Sequence, residues 1–415
     1  MARRSLWACL LWLCAPPAFA ELPFHGRAKA EYGYSPLDGN SLESALGKSE
    51  LHDALFNLRV KWEKQVDAWK FVSHYEFQAN IGDTQSLQKR INDLLPGYFI
   101  NLDKTRLLPL TVTTLSGQST EAVQGLDRLY ASYTSDQWVL AVGRQVLTWG
   151  NGMVFRPMDL FNPFGPTATD TEYKPGADMV YGQWLFDDGS DLQGLVLGRR
   201  NPITHDPAFN QFSSAVKWHY AGSAVQADLM YARHYTDDVL GVSVSGPLGK
   251  AVWHIDATPT WLQSGGTAVS LAANIDYSWE LLGKNMSGYL EYYRNGFASN
   301  PRLRSLAEVS PALQARLARN EVFTVDRDYL AGGLRIELTP LLSFNPLLIV
   351  NLNDGSELLW AQGVYSLHED LSLYFGFNVG IGPKGTEFGG LPVTPGSNTL
   401  YARPDQVYAQ LRYYF

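Results

Sequence analysis

The sequence predicts an all-β chain that folds as one antiparallel barrel of about 18 strands and crosses a lipid bilayer. Three observations lead there. Apolar and polar residues alternate with period two through segments of about ten residues or more, the length a tilted strand needs to span a bilayer; strands of soluble sandwiches average about six. The composition is rich in aromatics, with 12 Trp, 22 Tyr and 19 Phe, and in glycine, with 37 residues, while only 18% of residues are charged. Mean hydropathy is −0.16, too polar for a bundle of membrane helices. After the first twenty residues the longest unbroken apolar run is Trp138 to Val142, far short of the roughly 20 residues of a spanning helix.

The chain opens on what reads as a cleaved secretion signal, residues 1–20: Arg3 and Arg4 at the start, an apolar stretch from Leu6 to Ala15, and Ala18-Phe19-Ala20 as an A-x-A-like cleavage site. Both cysteines, Cys9 and Cys14, fall inside it, so the expected mature chain, 21–415, is a single cysteine-free domain. Leu13 before Cys14 argues against lipid attachment, because an acceptor cysteine wants a small residue there. The formal charge of −8 becomes more negative once the two leader arginines are removed, which argues against nucleic acid and anionic-lipid surfaces as partners.

The first mature segment sets the pattern. Phe24, Gly26, Ala28, Ala30, Tyr32 and Tyr34 alternate with His25, Arg27, Lys29, Glu31 and Gly33. Phe56, Leu58, Val60 and Trp62 alternate in the same way with Asn57, Arg59, Lys61 and Glu63, and Trp69, Phe71, Tyr75 and Phe77 with Lys70, His74, Glu76 and Gln78. Read along the chain, the expected strands are 24–34, 54–64, 67–79, 126–134, 137–148, 177–187, 191–200, 212–220, 223–234, 238–246, 250–261, 267–279, 285–294, 327–338, 341–352, 356–366, 370–379 and 405–415. With the N-terminus in the periplasm, the extended connections 35–53, 80–125, 149–176, 295–326 and 380–404 all fall on the outer side. Turns such as Ser135-Asp136, Asp188-Gly189-Ser190 and Pro247-Leu248-Gly249 fall on the inner side. Short periplasmic turns, long extracellular loops and an even strand count are the sorting expected of a bacterial barrel.

Aromatic placement is an independent check. Trp62, Trp69, Tyr133, Trp138, Trp218, Tyr220, Trp253 and Trp279 lie on the apolar faces at strand ends beside the short turns, which is where an interfacial girdle belongs. Slipping the first strand by one residue would push Arg27 and Lys29 into lipid at roughly 2–4 kcal/mol each near the midplane, so the register is strongly enforced.

The chain ends Val407, Ala409, Leu411, Tyr413, Phe415, alternating and finishing on phenylalanine. This resembles the C-terminal recognition signal of Gram-negative outer-membrane β-barrels; the resemblance implies the cell outer membrane as location, its lipid as surroundings and the barrel-assembly machinery as a partner, with Tyr413 and Phe415 as the assembly signal. A second stretch, Gly143-Arg144-Gln145, Trp149-Gly150-Asn151-Gly152 and Pro157-Met158-Asp159-Leu160-Phe161-Asn162-Pro163-Phe164, is similar to one in an uncharacterised group of proteobacterial outer-membrane barrels. More loosely it resembles porin-like channels of the alginate-export kind. That similarity implies a channel and carries over no solute-binding residue.

Function is expected in the lumen. Gly150 and Gly152 make a sharp exit from a strand, and Pro157, Pro163 and Pro166 stiffen the connection beyond it. A long apolar loop of this kind is expected to fold inward as a constriction, with Phe155, Arg156, Asp159, Asp170, Glu172 and Lys174 at hand, rather than to pack outside over a strand edge. Inward positions of the first five strands and the last carry Arg27, Lys29, Arg59, Lys61, Lys70, Arg128, Arg144 and Arg412, diluted by Glu31, Glu63 and Glu76, and Asp228, Asp256 and Asp276 lie half-way round. Opposed charges across a water-filled lumen make a transverse field that orients polar solutes.

Two outer connections also show helical spacing, Leu87, Ile91, Leu94 and Leu95 in one, and Leu303, Leu306, Leu313 and Leu317 with Pro301 in a first-turn position in the other. Both read as caps over the barrel mouth.

Catalysis finds little support: no H-E-x-x-H or G-x-S-x-G pattern occurs. His254 and Asp256 share a face with Ser270 and Asn274 one strand away, the one arrangement a hydrolase could use. Asp187, Asp188 and Asp191 form a turn cluster without the bidentate glutamate of a calcium loop, so no metal and no cofactor is expected. The sequence thus points to a channel for passive diffusion of small polar solutes, anionic or zwitterionic, with self-association into a homo-oligomer left open. The rival readings are a closed surface-binding or assembly scaffold and, behind it, an outer-membrane hydrolase.

Overall fold

Period-two alternation becomes two faces of one continuous sheet in the computed structural model, which describes residues 24–94 and 102–415. The leader with its cleavage site, Cys9, Cys14 and Leu95 lie outside the described residues. In chain order the wall strands are β1 His25–Pro36, β2 Glu50–Val66, β3 Trp69–Gly82, β4 Thr120–Thr134, β5 Trp138–Gln145, β6 Ala177–Leu185, β7 Asp191–Leu197, β8 Ser213–Ala221 and β9 Gln226–His234. They continue as β10 Asp237–Leu248, β11 Ala251–Trp261, β12 Thr267–Leu281, β13 Lys284–Arg294, β14 Asp328–Thr339, β15 Leu342–Asn351, β16 Glu357–His368, β17 Leu371–Ile381 and β18 Gln406–Tyr414. Each pairs antiparallel with its sequence neighbours, and β1 closes the ring against β18, with Lys29 opposite Arg412 on one side and Asn57 on the other. The fold is a closed antiparallel barrel of 18 strands.

All of the expected strands are present, most within a few residues of their expected ends. Turns at the end that carries both chain termini are tight. Asp67 at φ 51°, and Leu282 at φ 53° followed by Gly283 at φ 68°, adopt the left-handed backbone that two-residue hairpins require. The longest connections, 83–119, 146–176, 295–327 and 382–405, all leave the opposite end. No helix among the described residues is long and apolar enough to cross a membrane.

Two local readings are corrected. β4 begins at Thr120 rather than Leu126, because a short strand, Thr111–Ser116, pairs with its first residues on the edge that β5 does not reach. The helix of the 295–327 connection is Pro311–Ala318, so Pro311 and not Pro301 occupies its first turn. Ser310 caps it by accepting from the Leu313 amide. The other helix, Asp83–Leu94, lies where the Leu87 and Ile91 spacing placed it.

The outward face is apolar, with Trp69, Trp138, Trp184 and Trp218 all well exposed beside the short turns. Aromatic rings there pair across strands, Trp138 with Trp184 at 4.0 Å and Trp69 with Tyr133 at 5.3 Å. The inward face is polar and charged, yet many of its residues are buried, Arg27 being only 2% exposed. What covers them is the connection between β5 and β6.

Candidate functional site

The chain leaves β5 into residues 146–176 and does not return directly to β6. It first crosses to the far wall. Gly150 makes that turn at φ +89°, and a Cβ on it would sit 2.8 Å from the Asp256 carboxylate and closer still to Met158, so the path requires glycine. The Asn151 amide donates to Asp256 at 2.9 Å, its side chain donates to Ser243 at 3.0 Å, and Asn274 donates to the Asn151 carbonyl at 3.2 Å. Three successive amides, Met153, Val154 and Phe155, donate to the one carboxylate of Glu291 on β13 at 2.7, 3.1 and 2.7 Å. Backbone that would otherwise be orphaned in the barrel interior is satisfied by a single acid.

Apolar side chains of the same segment fill the space around it. Trp149, Met158 and Phe161 pack on Met179, Leu195, Leu197, Met230 and Ala232 of β6, β7 and β9. Val154 and Phe155 pack on Tyr293, Tyr329, Leu347 and Ile349 of β13 to β15. Phe155, one of the residues expected at the constriction, stacks face to face on Tyr293 with centroids 4.3 Å apart. Among the described residues, Arg156 bonds only to carbonyls of its own turn, Gly152 at 3.1 Å and Met153 at 3.5 Å.

The second half of the loop returns along the opposite wall. Gln362 of β16 and Arg412 of β18 both donate to the Thr169 carbonyl, at 3.3 and 3.1 Å, and Arg403 donates to Thr167. Asp170 lies 2.9 Å from Arg27 and 3.0 Å from Lys29, and Glu172 lies 2.7 Å from Arg27 and 3.5 Å from Arg412. Against the burial that opposes it, the cations of Lys29, Arg27 and Arg412 hold the Asp170 carboxyl well below the usual carboxylate range. Tyr173 then lays its ring under three cations, Arg27 at 4.8 Å, Arg59 at 4.4 Å and Lys61 at 4.4 Å.

Before re-entering the wall, Lys174 pairs with Asp159 of the same loop at 2.6 Å, an internal clasp in which neither charge is open to the lumen. Burial pushes Asp159 up and Lys174 down, and their mutual attraction opposes both shifts. Arg128 donates to the Lys174 carbonyl, and Asp127 accepts from the Gly176 amide at 3.3 Å.

Strand alternation gives no sign of Asp127. A bulge opposite His74 and Tyr75 leaves Asp127 unpaired in the ladder, so that it and Arg128 both reach the interior, where alternation allows only one. Asp127 then serves Arg59 at 2.7 Å and Arg128 at 2.5 Å. Tyr173 and Glu291 carry no signal in the sequence either, the first being a lone aromatic in a loop and the second a lone acid in a strand.

Most of the expected lumen residues are therefore brought together, but as ion pairs. Lys70 pairs with Glu63 at 2.7 Å near the terminus-bearing end. Across the barrel, Asp228 meets Lys217 at 3.1 Å and His219 at 2.8 Å, and Asp276 meets His254 at 3.3 Å. Arg144 departs from the expected arrangement. It follows Trp138, Leu140 and Val142 at two-residue intervals, the outward set, and is fully buried at the strand end. It is held there by Asp178 at 2.8 Å and by the Leu126 and Leu108 carbonyls. Residues 102–110 pass over that rim and hide it, which strand periodicity does not show.

Among solved structures, the barrel is similar to mutants of the Rhodopseudomonas blastica porin. One triple mutant matches with 9% identity and a TM-score of 0.45 over 94% of this chain and 99% of that one. A double mutant matches with 9% identity and a TM-score of 0.46 over the same shares. No family model matches the chain, and no curated protein does. Likeness this slight transfers no solute and no mechanism.

The groups that a hydrolase could use do not assemble. His254 faces Asp276, Asp256 accepts from Asn151, and Ser270 accepts from the Gly296 amide at 3.1 Å. Among the described residues, no group of three or more His, Cys, Asp or Glu is arranged to hold a metal ion.

Proposed function

We propose that the protein is an outer-membrane channel through which small polar solutes diffuse passively, narrowed by the loop 149–176. The observation that carries this reading is the loop's path. It crosses from β5 to the Glu291 wall and back along β18, β1 and β2, anchored in each place by hydrogen bonds or ion pairs. An unobstructed barrel of this strand number is wide enough to hold an aqueous channel, so a fixed internal loop is what gives it selectivity. Deleting residues 157–172 while keeping the strands should raise single-channel conductance severalfold in a planar bilayer. A folded deletion with unchanged conductance would place the narrowest point elsewhere.

A preference for anionic or zwitterionic solutes rests on the cations that make no close ion pair. Among the described residues, Lys61 and Arg156 have no carboxylate within 4.0 Å; Lys61 lies over the Tyr173 ring and Arg156 donates to backbone carbonyls. Under a salt gradient, Lys61→Glu should shift the reversal potential toward cations, and an unshifted potential would remove Lys61 from the ion path.

The two apolar clusters inside the barrel favour a second reading, in which the loop is a permanent plug and the barrel a closed scaffold. Wild-type protein that inserts into bilayers without conducting would establish it.

A further inference from the structure

Where the loop meets the barrel mouth, the chain builds a second polar space that the channel reading does not use. Residues from five connections converge there: Arg106, Asn162, Arg199, Tyr235 and Arg319 line a cavity of about 150 Å³ together with Glu321. Tyr235, in the tight turn between β9 and β10, holds the left-handed backbone at φ 54°. Its ring carries two guanidiniums, Arg199 at 4.3 Å and Arg319 at 4.0 Å.

The charges around the cavity can be assigned one by one. Asp178 is occupied by Arg144 at 2.8 and 3.0 Å. Glu321 is occupied by His234 at 2.9 Å and Arg319 at 2.8 Å, and against the burial that opposes it these partners hold its carboxyl down at about 2; burial pushes the His234 imidazole down, toward its neutral form. Asp103 is occupied by Arg106 at 3.1 Å. Arg199 is the cation left over. It is 9% exposed, and among the described residues no carboxylate lies within 4.0 Å of it. Its Nη1 donates to the Gln211 carbonyl at 3.0 Å and to Ser213 at 2.8 Å. The Nε and Nη2 edge donates to no acceptor among the described residues.

We propose that this cavity binds one small carboxylate, held side-on by the free edge of Arg199 with Arg319 and Arg106 nearby. The fork of a guanidinium matches the two oxygens of a carboxylate, the ring of Tyr235 fixes its plane, and one excess positive charge calls for one negative charge. The volume accommodates acetate or propionate. The floor of the cavity is the lumen loop itself, through Asn162 and its neighbours, so a bound carboxylate rests directly above the proposed constriction.

The inference rests on the folded mouth and not on conduction, so binding without conductance would leave it standing while removing the channel reading. The test is calorimetric titration of the folded protein in detergent micelles with acetate and inorganic phosphate, at fixed low chloride. Wild type should bind one acetate per chain saturably and phosphate more weakly. Arg199→Gln should weaken acetate binding at least tenfold while the folded protein keeps its heat-modifiable gel migration. If that variant does not fold, Arg199→Lys, which keeps the stem and charge but loses the fork, should weaken binding in the same direction. No saturable acetate binding in wild type, equal binding by a folded Arg199 variant, or tighter binding of phosphate than of acetate would each overturn the assignment.

Discussion

Phe155 of the lumen loop and Tyr293 of the wall lie ring on ring, with centroids 4.3 Å apart and planes 9° from parallel. The contact is possible because Glu291, two residues before Tyr293 and on the same face of β13, gathers the three amides that lead into Phe155. Replacing Glu291 with alanine should release this half of the loop, leaving amides orphaned at about 1–3 kcal/mol each. The expected outcome is a lower temperature for the folded-to-unfolded gel shift and noisier open-channel current. A variant as heat-resistant and quiet as wild type would mean that apolar packing alone holds the loop.

The Asp170 and Glu172 carboxylates neutralise a basic surface that would otherwise face the lumen. Asp170→Asn with Glu172→Gln should free Arg27, Lys29 and Arg412 and raise the anion-to-cation permeability ratio severalfold, read from reversal potentials. Because Asp170 titrates well below its ordinary value of 3.8, its ion pairs stabilise the loop fully above that value. They are lost only as the pH falls through the depressed one. Conductance should therefore stay level from about pH 7 to about pH 4.

Glu387 shows the opposite shift. Burial pushes its carboxyl up to about 8, while it accepts from Tyr329, Asn351 at 2.8 Å and the Val325 amide at 2.9 Å. Between the ordinary glutamate pKa and that raised value the folded chain keeps a proton that the unfolded chain has lost. Its contribution to stability is thus fully present at low pH and disappears as the pH rises toward 8. Thermal unfolding at about pH 5 and about pH 8 should show wild type losing stability at the higher value, and Glu387→Gln should lose measurably less.

Phe415 exchanges two backbone hydrogen bonds with Gly26, at 2.7 and 3.1 Å, and a Cβ on Gly26 would strike both the Phe415 ring and the Arg59 carbonyl at 2.4 Å. Deleting Phe415 should sharply reduce heat-modifiable protein in the outer membrane with signal cleavage unaffected. Gly26→Leu should do the same by obstructing the closing strands. Normal assembly of the deletion would exclude Phe415 from the assembly signal.

Strands were legible because a wall with unlike faces ties every residue to a side, and ten or more alternating positions leave few registers open. Legibility failed where the wall departs from period two or where another segment covers it. The bulge at Asp127 turned two neighbours inward, and Arg144, read as a lumen-facing residue, is buried at the rim under residues 102–110. Charged positions such as Arg27 and Arg412 could be placed on the lumen face, but not their partners. Asp170 and Glu172 sit more than a hundred residues away in a loop without periodicity, and only the folded path brings them within reach.

Arg27 belongs to the first strand and Arg412 to the last, and the same loop segment from mid-chain holds both. The Asp170 and Glu172 side chains therefore lie across the line where the two ends of the chain meet, like a bolt across a door. A barrel peeled apart along that line would have to break those ion pairs as well as the backbone ladder. Opening the ring at that seam and freeing this part of the loop are therefore coupled, because the same ion pairs oppose both.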